Sequence, residues 1–279
     1  MDTKKAALIG LGMLAAAVPF VGYTLSLPFR IRHEKARFAG LPGHLRGLKI
    51  LHIADFHGRY SDKMHRDIWP ALLALDFDMA VFTGDVILDD VSQLYPHSDG
   101  LRALVEKAPV FYVDGNHDEI HLDRVTGFFE RLGIIGLHNR RGDFAVGANA
   151  RARSAVLSIV GFRDYYYLKR HGYRAADTLI DDIDKGGFHL VLTHQPQIFD
   201  RLPKDMCALV LAGHTHGGQL RLPFFPTLYA PGQGAFPRYG EGWYGSDNLK
   251  LFISSGVGAT HFRLRLFNPP EVAIIELGD

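Results

Sequence analysis

Five short apolar runs along the chain each end on a different polar word. Ile50-Leu51-His52-Ile53-Ala54 leads into Asp55-Phe56-His57, Met79-Ala80-Val81-Phe82-Thr83 into Gly84-Asp85, and Val110-Phe111-Tyr112-Val113 into Gly115-Asn116-His117-Asp118. Leu190-Val191-Leu192 leads into Thr193-His194, and Leu209-Val210-Leu211-Ala212 into Gly213-His214-Thr215-His216. Short apolar runs bounded by turn formers predict buried strands. The first three words recur about thirty residues apart, the length of a β-α-β repeat, so these strands are expected to be parallel. Intervening helices are predicted near His65 to Leu75 and Leu101 to Lys107. A third is predicted over Leu122 to Leu132, where Leu122, Val125, Phe128, Phe129 and Leu132 recur at helical spacing. In an α/β sheet the carboxyl ends of the strands border the ligand crevice. The polar words are therefore expected to converge.

Beyond these runs the pattern is less regular. Gly142 to Ile159 is expected to form a pair of antiparallel strands, and Lys250 to Ser254 with Glu271 to Glu276 two closing strands. Phe162 to Tyr173, with Tyr165-Tyr166-Tyr167 among Arg163, Lys169 and Arg170, is expected to be a loop or cap near the crevice mouth. Its tyrosines would stack on a nucleobase, line an acyl-chain groove or simply pack. Leu222 to Gly245 is rich in Pro and Gly and too long for a simple turn, and long irregular loops in compact domains tend to be functional.

The N-terminus departs from globular patterning. From Ala6 to Phe29 no residue is charged, and about 20 apolar residues in a helix cross a hydrocarbon core. The division expected is a signal anchor or transmembrane helix over 1–29, a basic juxtamembrane linker over 30–47 and one catalytic domain over 48–279. A cleaved signal peptide, with Lys4-Lys5 before the apolar stretch and Ala15-Ala16-Ala17 as its cleavage site, is the rival. Arg30, Arg32, Lys35, Arg37, Arg46 and Lys49 follow the stretch, which by the positive-inside rule keeps the domain cytoplasmic on a single-pass inner-membrane protein. An exported or periplasmic domain is the alternative. The same cations would suit anionic membrane lipid.

Composition changes this picture little. Of 279 residues 47% are hydrophobic and 22% charged, which is ordinary for a globular chain. A formal net charge of +1 supplies no field toward nucleic acid, so nothing in the charge supports a polynucleotide partner. The single Cys207 cannot form an internal disulfide.

The words suit metal-assisted hydrolysis. A two-metal hydrolase needs cations about 3.5–4 Å apart sharing a ligand. Asp85 is the natural bridge, because a carboxylate has an oxygen for each ion. Asp55 and His57 would reach one ion, and Asn116 would offer a neutral oxygen to the other. His194, His214 and His216 would fill the remaining positions. Mixed carboxylate, imidazole and amide ligands favour two divalent transition ions, Mn2+, Fe2+ or Zn2+. His117 is the candidate general acid, with Asp118 as the neighbour expected to hold its tautomer. Arg59 is a candidate phosphate contact. His33, His44, His65, His97, His121, His138, His171 and His261 lie outside these words and are expected to be surface or packing residues.

In this order the words resemble the calcineurin-like metallophosphoesterase superfamily, from Leu48 to the C-terminus. Gly213-His214-Thr215-His216-Gly217-Gly218-Gln219 with Leu222-Pro223, Ser255-Gly256-Val257-Gly258, Arg265 and Asn268-Pro269-Pro270-Glu271 resemble its bacterial membrane-associated phosphodiesterase branch. One subgroup of that branch is similar to enzymes that cleave UDP-2,3-diacylglucosamine in lipid A synthesis. The resemblance implies an α/β fold, a β-sandwich flanked by helices. It also implies one ion on Asp55, His57, Asp85 and His216, and a second on Asp85, Asn116, His194 and His214. The function expected is hydrolysis of a phosphodiester or pyrophosphate in a membrane-associated or nucleotide-sugar lipid. A phosphomonoesterase and a non-catalytic scaffold on the same fold are the alternatives.

Overall fold

The alternation of side chains along each strand gives every sheet two faces, and in this chain both faces are apolar. The computed structural model describes residues 29–58, 62–146, 156–184, 186–218, 221, 227–258, 265 and 267–278, the side chains of 62–67 excepted. The expected anchor over 1–29 lies, apart from Phe29, outside the described residues, as do Arg59 and His261. Among the described residues no helix is long and apolar enough to cross a membrane.

The first half of the chain gives β1 (Arg30–Arg37), β2 (Lys49–Ile53), α1 (Asp62–Leu73), β3 (Met79–Thr83), α2 (Ser98–Lys107), β4 (Val110–Val113), α3 (Leu122–Leu132) and β5 (Ile135–Gly136). The second half gives β6 (Arg140–Ala145), β7 (Val156–Gly161), α4 (Tyr165–His171), α5 (Arg174–Asp181), β8 (Phe188–Leu192), β9 (Cys207–Ala212), β10 (Tyr229–Ala230), β11 (Gly234–Ala235), β12 (Gly242–Gly245), β13 (Leu249–Ile253) and β14 (Glu271–Gly278). Two six-stranded mixed sheets form, in the orders β1-β14-β2-β3-β4-β5 and β12-β13-β9-β8-β7-β6. β2, β3 and β4 are parallel, as their spacing predicts. β8, β9 and β13 are parallel in the second sheet. β6 and β7 are the expected antiparallel pair.

The layers follow from the two-residue period. Ile50, Met79, Val81, Phe111 and Val113 of the first sheet meet Leu190, Leu192, Leu209, Leu211 and Phe252 of the second in one buried cluster. The alternate residues Leu51, Ile53, Ala80, Phe82 and Tyr112 pack under α1, α2 and α3 through Leu72, Leu104 and Phe129. Val160, Val191, Val210 and Leu251 do the same under α4 and α5 through Leu168 and Ile180. Truncating one such side chain to Ala costs about 2–5 kcal/mol. This packing holds the two sets of strand ends together.

Two expectations are corrected. Residues 30–37 of the expected basic linker are the edge strand β1, paired in parallel with β14 from Arg30↔Glu271 to Arg37↔Gly278. Its charges sit on an edge, where cations deter unwanted strand pairing. Phe162 to Tyr173, expected as a loop or cap, is helical over α4 rather than a loop. Asp164 caps that helix by accepting from Tyr166 N and Tyr167 N, which satisfies two of its first amides. The Leu222 to Gly245 stretch holds β12 and the two-stranded β10-β11 ribbon.

Candidate metal centre

Each polar word falls just past a strand's carboxyl end: Asp55 and His57 after β2, Asp85 after β3, Asn116 and His117 after β4, His194 after β8, His214 and His216 after β9. Five of these take left-handed backbone, with φ of 48° at Asp55, 55° at His57, 50° at Asp85, 69° at His214 and 48° at His216. Such conformations cost about 1–3 kcal/mol each and persist where surrounding structure overrides them. They swing side chains of the two sheets toward one another. Glycines make the approach possible: a Cβ on Gly115 would lie 2.2 Å from Asp85 Oδ1, and one on Gly213 2.5 Å from Asp55 Oδ2.

The convergence gives two groups of donors, Asp55 with His57 and His216, and Asp85 with His194 and His214, each within 4.8 Å of one another. In the first, His57 Nε2 lies 3.4 Å from His216 Nε2, and Asp55 Oδ1 lies 3.5 Å from that same His216 atom. In the second, His194 Nε2 lies 3.2 Å from His214 Nδ1. Asp85 Oδ2 stands between the groups, 3.3 Å from His194 Nε2 and 4.0 Å from His57 Nε2. Tautomers follow from the far side of each ring. His57 Nδ1–H donates to Ile87 O at 3.3 Å and His194 Nδ1–H to Thr83 O at 2.8 Å. A carbonyl only accepts, so in the neutral form of each ring, the form that binds a metal, the Nε2 lone pair faces the centre. Asn116 Oδ1 is buried without a hydrogen-bond partner among the described residues.

Electrostatics agree with a cation site. Burial pushes the His57 imidazole down to about 4 and His214 to about 3, so both are neutral near pH 7. Burial also presses His194 toward neutrality, but the Asp85 carboxylate outweighs it and raises that imidazole to about 10. Against its own burial, Asp85 is in turn held below the usual carboxylate range by His194. Burial pushes Asp55 up to about 7. Without metal, a proton on His194 compensates the buried Asp85 charge, and metal binding would displace that proton. The facing nitrogens, the central carboxylate and the orphaned amide oxygen fit two divalent ions.

His117 lies beside these groups. Its backbone N–H donates to Asp85 Oδ1 at 2.9 Å, its Nδ1–H to Leu88 O at 2.9 Å, and its ring meets His57 edge-on at 5.3 Å. The expected partnership with Asp118 is corrected. Asp118 Oδ1 accepts from Val86 N at 3.0 Å and Ile87 N at 3.1 Å, and Oδ2 from Gly115 N at 2.9 Å. That carboxylate ties the loop after β3 to the loop after β4, and the backbone carbonyl of Leu88 orients His117.

Supporting residues escaped the sequence reading. Asp114 accepts from the His138 ring Nδ1 at 2.7 Å and from Arg163 Nε at 2.8 Å, and Asp164 accepts from Gln195 Nε2 at 3.0 Å. The adjacency of Asp114 to Gly115 and of Gln195 to His194 was the available signal. Asn268 Nδ2 donates to His216 O, and His214 N donates to both Asp55 oxygens. Of the tyrosines, Tyr166 meets the His214 ring at 5.9 Å, while Tyr165 and Tyr167 pack against the second sheet's outer cluster. Among the eight histidines left outside the words, His97 is buried and accepts from Trp69 Nε1.

A two-sheet sandwich with paired donor clusters at its strand ends is the frame of a metal-dependent hydrolase. The chain belongs to the calcineurin-like phosphoesterase family, whose sequence model matches residues 48–218. It is 30% identical over 256 residues to "Phosphodiesterase YaeI" of Escherichia coli, covering 88% of this chain and 87% of that one. "Uncharacterized metallophosphoesterase YkuE" of Bacillus subtilis is 28% identical over 85% of this chain and 81% of its own. A zebrafish "Transmembrane protein with metallophosphoesterase domain" is 28% identical over 85% of this chain, which spans 54% of that protein.

Proposed function

We propose that the chain hydrolyses phosphodiester or pyrophosphate bonds with two divalent transition ions, Mn2+, Fe2+ or Zn2+. Asp55, His57, Asp85 and His216 would hold one ion, and Asp85, Asn116, His194 and His214 the other. The observation that carries this reading is Asp85 Oδ2 standing between the two histidine groups. Two divalent ions held there would acidify a water and withdraw charge from the phosphoryl group. The chain's own residues supply the rest. His117 commits Nδ1–H to Leu88 O, so Nε2 is the atom from which a proton passes to the leaving oxygen. Asp118 positions Asp85 and Asn116 by drawing their loops together. Arg59, next to Gly58 and outside the described residues, is proposed to contact a substrate phosphate.

The finer reading is a membrane-associated or nucleotide-sugar lipid substrate, with UDP-2,3-diacylglucosamine the specific candidate. The uncharged stretch Ala6 to Phe29, the cations that follow it and a relative whose name is transmembrane support a single-pass inner-membrane protein. The charge order supports a cytoplasmic domain, with export as the alternative. The name of the E. coli relative favours diesters. Metal-loaded full chain is to be assayed in parallel on an aryl phosphodiester, an aryl phosphomonoester and UDP-2,3-diacylglucosamine. Turnover of the diester and the sugar nucleotide is expected. Monoester turnover alone overturns the diester reading, and no turnover with both ions bound favours the scaffold.

A further inference from the structure

The exposed large apolar side chains of the described residues are unevenly placed. Tyr95, Ile120, Tyr229, Phe236 and Phe267 all lie on segments that follow in sequence the strands whose carboxyl ends carry the metal centre or, for Phe267, their neighbour β13. Only two lie elsewhere, Ile135 on edge strand β5 and Val156 at the opposite end, where β7 begins. Ile120 is 85% exposed and follows His117 and Asp118 on the same loop, and Phe236 is 80% exposed. Phe236 N donates to Leu228 O at 2.8 Å and so closes the β10-β11 ribbon. That ribbon reaches the centre, since a Cβ on Gly232 would lie 3.5 Å from His214 Nε2. Phe267 precedes Asn268, which holds the His216 carbonyl. Tyr95 rides on the segment whose His97 Nε2 bonds Gly58 O at 3.3 Å.

The chain also enters the domain at this end. β14 is antiparallel to β2 and β1 is parallel to β14, so β1 starts where β2 finishes. There Arg30 N donates to Pro270 O at 2.8 Å and Arg30 Nε to Glu271 Oε2 at 3.1 Å, while Glu271 Oε1 accepts from Ser255 N at 3.1 Å. The next residue, Gly256, abuts Asp55: a Cβ on it would lie 2.7 Å from that side chain. The uncharged stretch from Ala6 therefore joins the fold at the rim of the metal centre.

We propose that the strand-end face of the domain docks on the lipid bilayer, with Tyr95, Ile120, Tyr229, Phe236 and Phe267 as its apolar contacts. The centre then opens toward the membrane interface, and the phosphate ester it takes belongs to a membrane lipid. This rests on the anchored reading above. Full burial of one such side chain contributes at most about 1.5–3 kcal/mol, and an interface buries it only in part. A tether ending at the same face makes docking intramolecular, where modest contacts suffice.

The test uses the full chain with Cys207→Ser in vesicles of equal parts phosphatidylcholine and phosphatidylglycerol. A fluorophore is attached in turn at Gly10→Cys, Ile120→Cys, Phe236→Cys and Val156→Cys, and quenching by a headgroup-depth spin-labelled lipid is compared with quenching by aqueous iodide. Loss of emission to the lipid quencher at Gly10, Ile120 and Phe236, with Val156 losing emission to iodide alone, is expected. Lipid quenching at Gly10 alone overturns the docked face and keeps the anchor. Lipid quenching at none of the four overturns both. No turnover is involved, so failure of the hydrolase reading would show separately in the substrate assays.

Discussion

The two sheets bring different chemistry to one centre. The strands β2, β3 and β4 of the first sheet supply both carboxylates, the amide of Asn116, His57 and His117, whereas β8 and β9 of the second supply imidazoles alone, His194, His214 and His216. Carboxylate charge comes from one side and imidazole nitrogens from the other. The halves are also cross-linked, because His214 N of the second sheet holds Asp55 of the first, and Asp85 of the first raises His194 of the second. Neither sheet holds a complete ligand set. The apolar layer between them is therefore a condition of the chemistry, and packing there controls metal affinity as well as stability.

The comparison breaks most completely at Asp85, whose Oδ2 stands between the two groups. Asp85→Asn should lose both ions and lower kcat/KM by at least about 10³-fold, because ion-dependent stabilisation goes with them. Metal analysis beside steady-state kinetics checks this, and retention of two ions with near-normal turnover sinks the bridging assignment. A change at His117 should leave metal content intact. His117→Ala is expected to slow esters of poor leaving groups by about 10²–10⁴-fold and activated aryl esters less. Equal losses on both would argue against proton donation.

Single imidazoles of the second sheet should separate the two ions. His216→Ala should weaken the ion shared with Asp55 and His57, and His214→Ala the one shared with Asn116 and His194, each by at least about 10–100-fold in affinity. Titration calorimetry that finds both variants weakened at the same ion would merge the two groups into one.

The smallest expected effect lies on β2, in the layer between the sheets. His52 is buried, bonds Thr83 Oγ1 at 2.8 Å and meets the Phe252 ring, and burial lowers its pKa from 6.5 to about 3. The unfolded chain thus takes up this proton below pH 6.5 and the folded chain only near about 3. Stability is full above pH 6.5 and is lost as pH falls between those values. By linkage the loss is about 2 kcal/mol near pH 5. His52→Leu should flatten the acid limb of denaturant-measured stability by that amount, and an unchanged limb would contradict it.

What was legible in the sequence followed from local pattern. The strand runs are apolar on both faces because each sheet is covered on both, and their polar words mark the strand ends. β1 was hidden because its partner lies at the other end of the chain and Arg30, Arg32, Lys35 and Arg37 mimic a charged linker. α4 was obscured by aromatic residues, although Asp164 before Tyr165 was an available cap signal. Adjacency misled at Asp118, since the turn after Asn116 directs its carboxylate to backbone amides of the β3 loop. The left-handed backbone at Asp55, His57, Asp85, His214 and His216 has no sequence signature, because tertiary contacts impose it.

Anomalous scattering from crystals of the Mn2+-loaded chain tests the joint centre most directly. Two peaks about 3.5–4 Å apart are predicted, both against Asp85, one also against Asp55, His57 and His216, the other against Asn116, His194 and His214. A single peak, or two peaks that do not share Asp85, would contradict the account.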